Sequence, residues 1–313
     1  MKPLVIQTEH LDAEAGSWLR ERCRVEVCSS DDARFEGLLR EAEGLLIRTY
    51  TQVDEGMLAK APKLRVVARA GVGLDNVDIA ACTKRGVRVV STPGANTRAV
   101  VELVFAMVLD AIRPRVFLDT ALDATRWKEL RKELQAPRQL ADMTLGILGL
   151  GKVGSAMARI GAAFDMRVVY HDVREIPAAE RAGAEPVARE ELFRLADVLS
   201  LHVDGRAENK LIIGARELAL CKRDVVLVNT SRGFIMDNAA LRTFLLANPG
   251  AAALLDVHEP EPIAADYPLL GVANAHIAPH IGAATASANR NMSWVVRDLW
   301  RVLQGEEPEW GAN

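Results

Sequence analysis

Three residues in the C-terminal half of the chain have the chemistry to move a proton and to grip an acid. Arg232 stands in Asn229-Thr230-Ser231-Arg232-Gly233, Glu261 in Val257-His258-Glu259-Pro260-Glu261-Pro262, and His280 in Pro279-His280-Ile281-Gly282. A histidine with a carboxylate in reach acts as a proton donor and acceptor, because the carboxylate holds the ring tautomer and stabilises the imidazolium. An arginine can hold a substrate carboxylate in two places and polarise the adjacent carbonyl. Together they meet the needs of hydride transfer at a 2-oxo acid, where one group protonates the oxygen and another orients the acid. Taken singly, each has a plainer explanation: a strand-end arginine in a salt bridge, a histidine satisfied in the core or at the surface.

A hydride carrier has its own signature upstream. Thr144 to Gly154 reads T-L-G-I-L-G-L-G-K-V-G, a short apolar strand running into Gly149-Leu150-Gly151-Lys152-Val153-Gly154. In a G-x-G-x-x-G turn the first glycine permits the tight turn, the second admits a pyrophosphate, and the third lets the following helix pack on the strand. The helix start, at Lys152 and Val153, offers backbone N–H groups and the positive end of its dipole to phosphates. Asp172 follows Gly154 by 18 residues and ends the next apolar run. That spacing suits the carboxylate that bonds a ribose 2′-hydroxyl and repels a 2′-phosphate, which favours NAD over NADP. Arg174 nearby softens the preference.

Two arginines mark the N-terminal third. Arg48 follows Gly44-Leu45-Leu46-Ile47 and Arg69 ends Val66-Val67-Ala68-Arg69, next to a turn, Ala70-Gly71-Val72-Gly73, whose N–H groups can hold a carboxylate. The alternative is a pair of solvated arginines beside a structural turn.

The elements that position these residues alternate strand and helix from Pro3 onward. Strands are read at 3–7, 25–27, 44–47, 64–69 and 87–90, and helices at 13–22, 31–40, 54–60 and 78–84. Such alternation predicts parallel sheets covered by helices on both faces, with ligands at the carboxyl ends of the strands. Ser91-Thr92-Pro93-Gly94 marks a boundary. The helix after it, 97–112, is apolar on almost every face, which predicts burial between domains or subunits, and Arg113-Pro114 closes it. Residues 115–139 form a charged, helix-prone crossover. Further strands end at His202, Asn229, Asp256 and Ala278, with a helix at 213–220 and one closing helix over 283–304. No strand is expected between Asp172 and the helix near 189–196.

At 313 residues the chain is long enough for two domains, and its composition, 50% hydrophobic and 26% charged, is that of a globular protein. A net charge of −3 argues against nucleic acid as main partner. Cys23, Cys28, Cys82 and Cys221 show no metal-site or C-x-x-C spacing, so no metal is expected and the thiols read as reduced. With no signal peptide and no apolar run long enough to span a bilayer, the expectation is a soluble cytoplasmic protein.

The chain resembles the D-isomer-specific 2-hydroxyacid dehydrogenase family, especially its D-3-phosphoglycerate and hydroxypyruvate branch. The resemblance runs through Arg69 to Asp78, Thr144 to Gly154, Val228 to Gly233, Leu255 to Pro262 and Ala278 to Thr285. It implies an α/β protein of two doubly wound parallel-sheet domains, a Rossmann-type NAD-binding domain (95–280) inserted in a flavodoxin-like substrate domain (1–94 and 281–313). By the same resemblance Arg232 positions the substrate, His280 is the acid/base, and Glu261, chosen over Glu259 because it directly precedes the loop's last proline, is its partner. The cofactor, NAD, is expected at Gly149, Gly151, Lys152, Val153, Gly154, Asp172, His202, Thr230 and Asp256, with Asp256 near the nicotinamide carboxamide. The substrate is expected at Arg48, Arg69, Val72 and Gly73. Helix 97–112 is expected to form a homodimer.

Three positions depart from the family pattern. Val203-Asp204-Gly205-Arg206 replaces a small residue, proline and leucine; His258 replaces an aromatic; and Tyr50 stands two residues past Arg48. Arg48 and Arg69 point to an anionic distal group, which ranks 3-phosphoglycerate first and glyoxylate or hydroxypyruvate second. Formate-oxidising relatives carry glutamine at the place of Glu261. From another class, a non-catalytic NAD(H)-sensing protein is disfavoured because the chain has no long tail or basic patch.

Overall fold

The computed structural model describes residues 2–113 and 115–313. The chain forms two compact units, one of residues 1–96 with 283–313 and the other of residues 97–282.

In the first unit the elements run β1 (Leu4–Gln7), α1 (Ala13–Arg22), β2 (Arg24–Val27), α2 (Phe35–Leu39), β3 (Gly44–Ile47), α3 (Glu55–Ala59), β4 (Val66–Arg69), α4 (Ile79–Lys84) and β5 (Arg88–Val90). The strands pair in parallel in the order β2-β1-β3-β4-β5, a doubly wound arrangement. Asp12, Asp54 and Asp78 cap α1, α3 and α4 by accepting from first-turn N–H groups.

The second unit opens with α5 (Thr97–Ile112) and α6 (Ala124–Glu133). It continues through β6 (Thr144–Leu148), α7 (Lys152–Ala163), β7 (Arg167–His171), β8 (Glu185–Pro186), α8 (Arg189–Leu195) and β9 (Val198–Leu201). It ends with α9 (Ala215–Leu218), β10 (Val226–Asn229), α10 (Asn238–Ala247), β11 (Ala252–Leu255) and β12 (Ala275–Ile277). Its sheet is parallel throughout, in the order β12-β11-β10-β9-β6-β7-β8. One face packs on α5 and α7 through Val104, Val108, Leu145, Ile147 and Met157; the other packs on α8 and α10 through Phe193, Leu199, Leu227 and Leu241. Each such fully buried side chain contributes about 1.5–3 kcal/mol.

The chain then returns to the first unit as α11 (Ala286–Ser293) and α12 (Val296–Gln304). Val296, Leu299 and Leu303 cover the sheet face beside Leu19, Val66 and Val90. A single helix over 283–304 is therefore not formed: the chain turns at Trp294 and Val295. Three other expectations are corrected. The helix expected from Asp31 begins at Phe35, because the Asp32 carboxylate accepts the Arg34 N–H in a local turn. The helix expected at 213–220 is shortened to α9, since Ile213 pairs with Met236. β8 adds a seventh strand, formed by Glu185 and Pro186 at the sheet edge, where no apolar run announces it.

Helix α5 also differs from its reading. Arg98, Glu102, Ala106 and Asp110 form an exposed stripe at four-residue spacing, while Val100, Val101, Val104, Phe105, Val108 and Ile112 are buried in the unit's own core. Its high average apolarity hid this stripe. Pro114, read as its stop, lies outside the described residues. No helix among the described residues is long and apolar enough to cross a membrane.

Candidate active site

Each reactive residue sits just past a strand of the second unit. β10 ends at Asn229, whose carboxamide shapes the next turn: its Oδ1 accepts from Ser231 N and Oγ, and its Nδ2 donates to the Arg232 carbonyl at 2.9 Å. Arg232 Nη1 in turn donates to the Ser231 carbonyl at 2.6 Å. β11 leads to Asp256 and the loop carrying Glu261. β12 leads to Pro279 and His280.

His280 and Glu261 are in contact. Nδ1 of His280 donates to Glu261 Oε2 at 2.7 Å, which leaves Nε2 as the ring atom available for proton exchange. The Glu261 hydrogen bond raises the His280 pKa above its ordinary 6.5, outweighing the burial that lowers it, while Arg232 nearby acts in the lowering direction. Burial alone would push the Glu261 carboxyl up; the bond from His280 and the His258 N–H at 2.8 Å reverse that and hold it below the usual range. Asp256 is almost fully buried, and burial raises its pKa against the two N–H groups, Ile281 and Gly282, that it accepts at 2.7 Å. Its carboxylate thus anchors the turn that follows His280.

The three loops also touch through backbone. A Cβ placed on Gly233 would lie 2.0 Å from the His258 carbonyl carbon and 2.6 Å from Glu259 N, so only glycine lets the Arg232 turn lie against the Glu261 loop. In the sequence this glycine carries no mark beyond its place directly after the arginine.

The residues expected to hold a dinucleotide lie just past β6, β7, β9, β10 and β11. Gly149 has φ of +92°, and a Cβ there would meet the His202 carbonyl oxygen at 2.7 Å; one on Gly154 would meet the Gly149 carbonyl oxygen at 2.1 Å. Asp172 Oδ2 accepts the Leu150 N–H at 2.8 Å, tying the end of β7 to the glycine turn. Burial would raise the Asp172 pKa, but donors from Arg174 and Leu150 hold it low. Arg174 pairs directly with that carboxylate. His202 follows β9, with Nε2 bonded to Ser200 Oγ at 2.8 Å, and burial pushes its pKa down to about 4.

These residues fit a dinucleotide. Helix α7, with Lys152 and Val153 in its first turn, starts at Gly151 without a side-chain cap, and a Cβ on Gly151 would meet no atom within 4 Å. Among the described residues the buried Thr230 hydroxyl has no hydrogen-bond partner. The buried Thr97 hydroxyl, at the start of α5, is likewise unpartnered, and no sequence signal pointed to it.

The other four expected residues lie in the first unit. Arg48 and Arg69 stand at the carboxyl ends of β3 and β4. The Arg48 guanidinium bonds Asn289 Oδ1 and the His10 carbonyl, and Arg69 Nε donates to the Arg48 carbonyl at 3.1 Å. The Glu9 carboxylate accepts the backbone N–H groups of Arg48, Thr49, Tyr50 and Thr51, so this strand-end turn is wrapped around an internal anion. Tyr50 projects from it with 85% exposure. Val72 and Gly73 lie in the partly exposed turn after β4. Asp204 and Arg206 of the atypical loop pair with each other.

A family model described as D-isomer specific 2-hydroxyacid dehydrogenase, NAD binding domain, matches residues 105–282. The chain is 37% identical over 317 residues to a glyoxylate reductase from Aeropyrum pernix, covering 98% of this chain and 95% of that protein. The chain belongs to the D-isomer specific 2-hydroxyacid dehydrogenase family. This dehydrogenase is also 37% identical over 307 residues to a D-3-phosphoglycerate dehydrogenase from Mycobacterium bovis, covering 97% of this chain but 57% of the longer relative. It superimposes with a TM-score of 0.81 at 27% identity on a D-lactate dehydrogenase from Aquifex aeolicus complexed with NAD and lactic acid, covering 97% of this chain and 96% of that one. It is an NAD-dependent oxidoreductase of 2-hydroxy acids. Among the described residues no cluster of His, Cys, Asp or Glu would hold a metal ion.

Proposed function

We propose that this dehydrogenase interconverts glyoxylate, or the similarly small hydroxypyruvate, with the corresponding 2-hydroxy acid. The observation that carries this choice is Arg48. Its guanidinium is engaged by Asn289 and the His10 carbonyl, and its backbone by Glu9, so it is built into the first unit as a scaffold rather than as a clamp for a distal phosphate. The similarity to the A. pernix glyoxylate reductase over nearly its whole length supports the same reading. Reaction on 3-phosphoglycerate, ranked first from the sequence, becomes the second reading, favoured by the similarity to the M. bovis enzyme.

Bound NAD(H) supplies or accepts the hydride. Its adenosine ribose is assigned to Asp172, its pyrophosphate to the turn of Gly149, Gly151, Lys152, Val153 and Gly154, and its remaining contacts to His202, Thr230 and Asp256. Arg232 holds the substrate carboxylate and polarises the carbonyl. Val72 and Gly73, by the family resemblance, are assigned to the substrate through their backbone N–H groups. In reduction His280 delivers its Nε2 proton to the carbonyl oxygen, and Glu261 keeps the ring oriented and favours the imidazolium. A homodimer through α5 is supported by the exposed apolar side chains that follow it: Val116, Phe117 at 85% exposure, Leu118 and Trp127. A cytoplasmic location is supported by the free thiols of Cys23, Cys28, Cys82 and Cys221.

NADH oxidation with glyoxylate, hydroxypyruvate, 3-phosphohydroxypyruvate and pyruvate tests the substrate. The expected order places glyoxylate or hydroxypyruvate first by at least tenfold in kcat/KM. A preference for the phosphorylated acid overturns it, and tight NADH binding without turnover on any acid favours the sensor. His280→Ala should lose turnover while binding NADH normally; near-normal turnover removes the acid–base assignment.

A further inference from the structure

The loop that carries Glu261 holds a second imidazole that the proton transfer does not use. His258 occupies the position where the family resemblance expects an aromatic, yet it is buried, with 5% exposure. We infer that His258 is a positioning residue: its side chain locks the turn of His280 while its backbone holds Glu261.

The geometry converges on one carbonyl. Nε2 of His258 donates to the Ala278 oxygen at 2.8 Å, and the same oxygen accepts the His280 N–H at 3.1 Å. That turn is strained, since His280 has φ of +55°, a left-handed conformation that non-glycine residues seldom adopt without support. The support comes from both sides. Asp256 grips Ile281 and Gly282 after the histidine, and His258 grips Ala278 before it.

Tyr267 backs the ring. Its hydroxyl lies 3.3 Å from His258 Nδ1, and the two rings meet edge to face with centroids 5.5 Å apart. The His258 backbone N–H meanwhile donates to Glu261 Oε1. One residue therefore ties both members of the pair. A phenylalanine would fill the same space but would leave the Ala278 carbonyl with one donor fewer. The charged groups acting on His280 are Glu261, Asp256 and Arg232; Tyr267 and Glu261 face His258.

This inference rests on Glu261 and His280 being the acid–base pair, and its test is independent of turnover. The imidazole resonances of the full chain, free of cofactor, are followed by NMR through a pH titration, with His280→Ala assigning the His280 signal. In the native chain His280 titrates above 6.5, because Glu261 holds its proton. In His258→Phe the midpoint should fall by about one pH unit, as the turn relaxes and the contact loosens. In His258→Gln, whose amide nitrogen reaches the place of Nε2, it should stay within about 0.3 unit of native. An unchanged midpoint in His258→Phe overturns the inference, as does an equal fall in both variants. Should His258→Phe not fold, Tyr267→Phe keeps the ring contact and removes the hydroxyl: a smaller fall supports the inference and no fall overturns it. Turnover of His280→Ala tests the acid–base reading separately.

Discussion

Replacing Gly233 by alanine should lower kcat/KM about a hundredfold while leaving NADH affinity within about threefold of native. The added Cβ would lie 2.0 Å from the His258 carbonyl carbon, 2.1 Å from its oxygen and 2.6 Å from Glu259 N. These are backbone atoms, so no side chain can swing aside. Ordinary contact begins at 3.4 Å, and the gap must open from 2.0 Å, a displacement of about 1.4 Å. The movement falls on Arg232 on one side and on the loop of Glu261 on the other. Misplacing reactive groups by about 1 Å costs on the order of a hundredfold in rate, or about 2.7 kcal/mol of transition-state stabilisation. Crowding of this kind also costs about 1–3 kcal/mol of stability, so the melting temperature belongs beside the kinetics. NADH affinity, from fluorescence titration, should change little because the glycine turn after β6 is set by other residues. A variant that folds and keeps kcat/KM within about threefold of native would refute the claim that this contact sets the spacing of the arginine and glutamate loops.

Glu261→Gln removes the charge that raises the His280 pKa, so the high-pH limb of carbonyl reduction should move to lower pH. The sign follows from the proton: reduction needs the imidazolium, which a raised pKa preserves to higher pH and which is lost as pH rises through it. With both side chains partly exposed, the expected movement is about one unit, and a coincident pH profile would contradict it. Asp172→Ala should relax the preference for NAD over NADP by about 1–2 kcal/mol, read as a ratio of kcat/KM values; an unchanged ratio would remove Asp172 from the ribose site. Thr230→Val should leave the melting temperature of the cofactor-free protein unchanged or raised, since its buried hydroxyl has no partner among the described residues, while weakening NADH binding severalfold. A clear loss of stability with unaltered NADH affinity would count against it.

How much was legible in the sequence depends on how local the cause is. The glycine turn, Asp172 and the alternation of strand and helix rest on residues near one another in the chain, and sequence spacing alone shows that they belong to a dinucleotide-binding, parallel-sheet protein. Average composition misled where a periodic detail mattered: Glu102 and Asp110 give α5 a wet stripe that its many valines conceal, and β8 has no apolar run because it is a two-residue edge. Arg48 was readable as a strand-end arginine but not as one engaged by Asn289, 241 positions away. The proximity of Glu261 and His280, 19 positions apart, was inferred from resemblance; their 2.7 Å contact comes from neighbouring parallel strands β11 and β12 ending side by side. Only the folded chain decides that Gly233 lies against the His258 carbonyl and that His258 reaches Ala278. Local spacing specifies which backbone forms a turn or a strand, whereas the contacts that tune a pKa or set a loop's position join residues whose separation in sequence carries no energetic signal until the sheet brings them together.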